Sequence, residues 1–478
     1  MIFRKYFKSR ILAAILATVI IMSMLVGCGD SATPTPLEPS PTALPTPVQT
    51  PTPTATVTPT SEPSPSPIST QEPATPDVGF KLAKSHVERD SSPDIPRADM
   101  NELVAGNNAF AFDLYQALQS EKGNLFFSPY SISTALAMTY AGARSETETQ
   151  MSDTLHFSLS QDQLHPAFNA IDLQLTSQEE GGKSDEKTDF TLRIANSLWG
   201  QRDYEFLEEF LDVLAGNYGA GMRLVDFVTA SEPARIAIND WVSDQTEEKI
   251  KDLIPQGAID SMTRLVLANA IYFYADWLYP FDPNSTHDGS FALLDGEEVT
   301  VSMMSQLTGF QYAQGDNYQA VELPYVGNMA AMTIIVPDSG EFYDFENGLS
   351  FSQIEEIIAN LERKQVRLSL PKFTYESDFS LAKTLKEMGM PKAFSMDADF
   401  SGMDGTKNLF ISDVFHKAFV AVDEEGTEAA AATAVIISLK AVPIVDVELT
   451  IDRPFIYLIR DTGTGTILFM GRVLNPAE

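Results

Sequence analysis

Apolar residues recur at helical spacing from Asn101 to Ser120, with Leu103, Phe110, Leu114 and Leu118 on one face, and predict a helix. A short strand follows over Asn124–Phe127. Ser128 and Pro129 then open a second helix, since serine caps free amides and proline suits the first helical position. Its continuation, SISTALAMTYAGA, is apolar on most faces, so this helix should lie in the core. Strands are expected at Phe190–Leu198, Leu265–Tyr274, Val321–Pro324, Met329–Val336, Gln365–Pro371 and Phe415–Val422, and again within Ile456–Val473. Helices are expected at Ala234–Thr246 and Phe379–Met388. Strands and helices in mixed order, with no internal repeat, predict an α+β fold with a large sheet.

The first hundred residues read differently. Arg4, Lys5, Lys8 and Arg10 form a basic head, and Ile11–Gly27 carries no charge, the layout of a signal peptide. The run ends in Leu25-Val26-Gly27-Cys28, which resembles the bacterial lipobox. That resemblance implies removal of residues 1–27, acylation of Cys28 and a bacterial protein held outside the cytoplasm by a lipid anchor. An uncleaved membrane helix and a plain secretory signal are the alternatives, although the run is shorter than the roughly 20 apolar residues of a span. Residues 28–97 are expected to form a disordered stalk. From 31 to 77 the chain is almost entirely Pro, Thr, Ser, Ala and Glu and has no apolar periodicity with which to build a core. Dense proline favours an extended chain of about 3.1 Å per residue, on the order of 140 Å in full. The folded domain is expected over 98–478.

Composition narrows the partners. A formal charge of −34 disfavours nucleic acid and heparin-like polyanions. Cys28 is the sole cysteine, which excludes disulfides and cysteine-rich metal sites. None of His86, His156, His165, His287 and His416 lies in an HExxH or i, i+4 pair, so no metal or other cofactor is expected. No GxSxG elbow marks a hydrolase, and the chain is not expected to be an enzyme.

The remaining candidate chemistry lies in DEEGTEAAAATAVIISLKAVPIVDVELTIDRPF, Asp423–Phe455. On propensity the alanine run is helical, with Thr427 as its cap. The alternative is an exposed loop able to become a strand. Small side chains suit that: Thr427, Ala429, Ala431 and Thr433 would face one side, and Ala430 and Ala432 the other. EEGTEAAAATA is similar to the hinge of inhibitory serpins. NLFFSPYSISTALAMTYAGA, RLVLANAIYFYADWLYPF, LSLPKFTYE, HKAFVAVDEEGTEA, RPFIYLIRD and LFMGRVLNP resemble other serpin motifs in the same order. The resemblance spans residues 98–478 and favours the loop.

It implies the serpin fold, with about eight to nine helices around three β-sheets and an exposed reactive-centre loop. It also implies a monomeric suicide inhibitor of serine proteases. The protease cleaves the loop, stays esterified to it, and is carried away as the loop's first half inserts into the central sheet. The implied hinge is Glu424, Gly426, Thr427, Glu428, Ala429, Ala430, Ala431, Ala432, Thr433 and Ala434. Family spacing from Glu424 puts the scissile bond between Lys440 and Ala441, and a lysine there suits trypsin-like enzymes. A cut beside Leu439 would suit chymotrypsin-like or elastase-like ones. Ser128, Ser131, Asn269 and His416 match a polar shutter under the sheet, and Trp277 the breach near its top. Tyr274 stands where many relatives have lysine. Acidic Gln178–Asp189 argues against heparin activation. A non-inhibitory serpin acting as a surface binding protein is the alternative function.

Overall fold

The computed structural model describes residues 79–181, 183–184, 187–188, 190–427 and 444–478. The chain divides into Met1–Gln71 and Glu72–Glu478, and the first unit lies wholly outside the described residues. So do the segments expected to form a signal peptide and a stalk, residues 1–27 and 31–77, and Cys28.

Eighteen strands are described. The first six are β1 (Lys81–Ala83), β2 (Leu125–Phe127), β3 (Lys183–Ser184), β4 (Lys187–Thr188), β5 (Phe190–Gln201) and β6 (Met222–Val225). The next six are β7 (Leu265–Asp276), β8 (His287–Ala292), β9 (Glu298–Gln314), β10 (Tyr318–Pro324), β11 (Ala330–Pro337) and β12 (Glu362–Pro371). The last are β13 (Phe373–Ser380), β14 (Ile411–Val422), β15 (Gly426–Thr427), β16 (Val447–Thr450), β17 (Phe455–Asp461) and β18 (Ile467–Val473). They form a seven-stranded sheet in the order β1-β6-β5-β7-β15-β14-β13, a nine-stranded sheet β16-β12-β9-β10-β11-β17-β18-β2 with β8 on β9, and a β3–β4 hairpin.

Helices that bear on the site are α1 (Arg97–Leu118), α2 (Pro129–Tyr140), α3 (Ser145–Leu155), α4 (Gln161–Gly181), α5 (Glu208–Tyr218) and α6 (Ser231–Gln245). Four shorter ones bring the described total to ten, just above the eight or nine expected.

The local reasons are those in the sequence. The Ser128 hydroxyl accepts from Ser131 N at the start of α2, Pro129 occupies the first turn, and every residue of the helix is buried. Strand β7 is covered on both faces, which is why LVLANAIYFYAD reads as an almost unbroken apolar run.

Two expectations are corrected. Phe379 and Ser380 belong to β13, not to a helix, because the β13 ladder continues through Phe379 opposite His416, and the helix starts at Ala382. The domain begins earlier than residue 98. Residues 79–97 are packed onto it: β1 pairs with β6, Arg89 holds Asn169 and Asp172 of α4 at 2.7 and 2.6 Å, and Lys84 reaches Gly219 O at 3.0 Å. A stretch this polar shows no apolar period. Its fastening is made of backbone ladder, ion pairs and one aromatic, which composition does not report.

Candidate functional site: the seam of the seven-stranded sheet

Strands β7 and β14 meet in the middle of the sheet and run parallel, from Leu265 opposite Ile411 to Tyr272 opposite Phe419. A parallel seam forms slanted, slightly weaker bonds than an antiparallel one. Along this seam the structure gathers Ser128, Ser131, Asn269 and His416 into one buried network.

His416 faces Asn269 directly across the seam. Its Nε2 accepts from Ser128 N at 3.2 Å, while Nδ1 meets the Asn269 carbonyl oxygen. The first bond requires a bare Nε2 and the second a protonated Nδ1, so the ring is neutral. Burial agrees, pushing the imidazole down to about 3. Ser128 Oγ donates to Leu468 O at 2.6 Å, which ties the cluster to β18. Asn269 Nδ2 donates to Ser131 Oγ at 2.7 Å. Sequence reasoning missed a fifth member, Asn196 of β5: its Oδ1 accepts from Ser131 Oγ at 3.2 Å and from Asn269 Nδ2, and its Nδ2 donates to Ser131 O at 3.1 Å. A signal existed. Asn196 shares a strand face with Leu192, Ile194 and Leu198, and a lone amide in an apolar stripe marks a buried polar contact.

At the C-terminal end of β7 the seam changes. Gly426 and Thr427 form β15, antiparallel to both β7 and β14, with Thr427 opposite Ala275 and Val422. Glycine is required here: a Cβ on Gly426 would overlap the carbonyl of Ala275. Thr427 is 1% exposed, and its hydroxyl meets Tyr325 OH at 2.7 Å. Tyr325, a second residue the sequence did not flag, stacks on Trp277 with ring centroids 4.6 Å apart. Trp277 in turn donates from Nε1 to Asp423 O at 3.0 Å and from its backbone to Glu425 O at 2.7 Å. Glu424 is pinned by Lys372 at 2.6 Å and Thr286 at 2.7 Å. Burial alone would raise this carboxyl, but those two bonds, a backbone hydrogen bond and the Lys372 charge together hold the group below its usual range.

Glu424, Gly426, Thr427 and Trp277 are thus brought together. Glu428, Ala429, Ala430, Ala431, Ala432, Thr433, Ala434, Lys440 and Ala441 lie outside the described residues. Among the described residues no cluster of three or more His, Cys, Asp or Glu could hold a metal ion.

Comparison with known proteins follows the same outline. Residues 105–476 match the family described as Serpin (serine protease inhibitor). An uncharacterized serpin-like protein of Thermococcus kodakarensis is 42% identical over 379 residues, covering 79% of this chain and 86% of that one. The leukocyte elastase inhibitor of Sus scrofa is 42% identical over 388 residues, covering 79% of this chain and all of the inhibitor. Among solved structures, uncleaved ovalbumin superposes with a TM-score of 0.72 at 29% identity, covering 78% of this chain and all of ovalbumin. The thermophilic serpin tengpin in its native state superposes at 0.71 and 29% identity, covering 83% of this chain and all of tengpin. The fold, the ordered motifs and these likenesses agree, and the chain belongs to the serpin family.

Proposed function

We propose that this protein inhibits serine proteases as a suicide substrate, and that its targets are trypsin-like. The observation that carries the proposal is β15. Two residues of the hinge already occupy the slot between β7 and β14, while the rest of the seam is shut. The strand that would follow them consists of small residues from Ala429 to Ala434. Insertion replaces one parallel pairing by two antiparallel ones and adds about one ladder bond per residue. At roughly 0.5–1.5 kcal/mol for each bond, a loop of some fourteen residues gains on the order of 10 kcal/mol. The closed sheet is then a kinetically held state, and cleavage at Lys440–Ala441 releases the strand to insert. The leukocyte elastase inhibitors among the relatives are consistent with protease inhibition.

Incubation with trypsin tests this. The expected result is a complex that survives SDS, together with a cleaved form of higher Tm than the intact protein. Cleavage with no complex and no rise in Tm would instead favour a non-inhibitory surface binding protein. In the Lys440→Leu variant, complex formation should shift from trypsin to chymotrypsin-like or elastase-like enzymes; trypsin trapping that persists unchanged would move the scissile bond elsewhere. Anchoring through Cys28 outside a bacterial cytoplasm belongs to the same proposal. Its check is radiolabelled fatty acid incorporation, which the Cys28→Ser variant should lose.

A further inference from the structure

Two helix faces meet in a cleft that the seam does not use. On α4, Gln161 and His165 lie one turn apart, and on α5, Phe210, Val213 and Asn217 repeat along one side. These faces line a cavity of about 600 Å³, within the range of small-molecule sites. The end of α2 is joined to it through Gln161 Nε2, which donates to Tyr140 O at 3.2 Å. The short helix Ser401–Asp404 is joined through Gly402 N, which donates to Gly142 O at 3.0 Å.

Two donors in this lining lack an acceptor. The first is His165, which is 3% exposed, with the Tyr140 and Tyr218 rings 6.4 and 5.8 Å from its own. Its Nδ1 lies 2.7 Å from the Tyr218 hydroxyl, and its Nε2 has no hydrogen-bond partner among the described residues. Burial pushes the Tyr218 phenol well up, so the hydroxyl keeps its proton and donates it to Nδ1. Burial also pushes the imidazole down to about 4, so the ring is neutral and its one proton sits on Nε2.

The second donor is Arg144. Its Nη1 donates to Ala141 O at 3.0 Å and to Ala143 O at 2.6 Å. A Cβ on Gly402 would come within 2.5 Å of the guanidinium carbon, so glycine is what lets the group lie there. Among the described residues no carboxylate pairs with it. The fork is thus tethered at one nitrogen and has N–H groups to spare.

A buried N–H without an acceptor and a tethered guanidinium without an anion are both satisfied by a carboxylate. Phe210, Val213 and Pro166 supply an apolar wall for the rest of such a molecule. Asp162 and Glu209 also line the cavity and are exposed. They act against a second negative charge, as does the net charge of −34.

We propose that this cleft binds a small monocarboxylate with an apolar body, its carboxylate oxygens meeting Arg144 and His165 and its body lying on Phe210 and Val213. The site uses neither hinge nor seam, and it stands whether or not the protein inhibits proteases.

Calorimetric titration of the full chain with phenylacetate tests it. Binding should saturate at one site with a Kd of about 1 mM or tighter. No saturation up to about 10 mM overturns the site. Phenethyl alcohol, which keeps the ring and lacks the charge, should bind at least about tenfold more weakly; equal affinity overturns the carboxylate. Arg144→Met and His165→Phe should each lower the affinity for phenylacetate at least about tenfold. Val213→Trp keeps both donors and fills the apolar wall, so it should abolish binding in a protein whose own Tm is that of the wild type or higher. Phenylacetate binding that survives Val213→Trp places the ligand elsewhere and overturns the proposal. Histidine-ring NMR of the wild type reads the site without any substitution. His165 should carry its proton on Nε2, and that signal should move on saturation with phenylacetate while the His416 signals stay. A proton on Nδ1, or an Nε2 signal that does not move, removes His165 from the site.

Discussion

The middle and the hinge end of the β7–β14 seam are built on opposite plans. Its middle is locked by side chains: His416, Asn269, Ser131, Ser128 and Asn196 exchange hydrogen bonds across three strands and α2. Its hinge end is held by backbone. There β15 has already displaced direct pairing, and a glycine lets the chain pass close to Ala275. The difference teaches where strand entry can start and what it must undo. If the protein is an inhibitor as proposed, entry starts at β15, where ladder bonds are simply exchanged. On the inhibitor reading, going further means dismantling a polar network in which Ser128, Ser131, Asn269 and His416 are buried and Asn196 is half-buried, so that four of the five cannot fall back on water.

Four perturbations probe that contrast, from the largest expected effect to the smallest. Thr427→Arg places a charge in a slot that is 1% exposed. Burying an unpaired charge costs several kcal/mol, so β15 should not form and the yield of covalent complex should drop at least about tenfold. A variant that traps trypsin as well as the wild type would remove β15 from the mechanism. Next, Asn269→Ala and Asn196→Ala each orphan buried partners at a cost of about 1–3 kcal/mol. Urea unfolding of both singles and the double should show coupling of about 0.5–3 kcal/mol, and strict additivity would sink the five-membered network.

The third perturbation is acid. His416 and His165 are pushed by burial down to about 3 and about 4, against 6.5 when free. Their folded forms bind fewer protons than the unfolded chain between those values, so stability is full above pH 6.5 and is lost as pH falls below it, by at most about 1.4 kcal/mol per pH unit for each group. Glu424 acts in the same direction but lower, since its carboxyl is held below the usual 4.5. Tm should therefore fall from pH 6.5 downward, and His416→Gln should flatten the slope between 6.5 and 4.5. An unchanged slope would show that His416 is not neutral in the seam. The smallest effect is expected from Tyr325→Phe, which removes one hydroxyl from Thr427 and costs about 1 kcal/mol. If Tyr325 positions the hinge, the rate of trypsin trapping changes more than the urea midpoint does; if it only packs, the midpoint alone moves.

Much of the fold was legible along the chain. The second helix, the apolar β7 and the strands near Val321, Met329, Gln365 and Phe415 follow from period and capping alone. Two sequence readings failed for different reasons. The Phe379–Met388 segment has apolar residues that fit either period, and pairing with β14 decided that its first two residues extend a strand. The arm over 79–97 falls within the expected stalk, and a polar stretch is silent about ladder pairing and about Arg89 finding Asp172.

What the sequence determined by itself is the material of the seam: small residues after Gly426, an amide and an imidazole in two apolar strands, and a capped apolar helix to lie beneath them. Tertiary structure alone decided their joint arrangement. Asn196 and Asn269 are far apart in the chain and become neighbours only through the β5–β7 register. Tyr325 meets Thr427 where the fold also stacks it on Trp277, a residue far from it in the chain. Hydrogen bonds act over about 3 Å and depend on which strands are adjacent. Apolar periodicity specifies which face of each strand is buried, and it leaves open which strand will lie beside it.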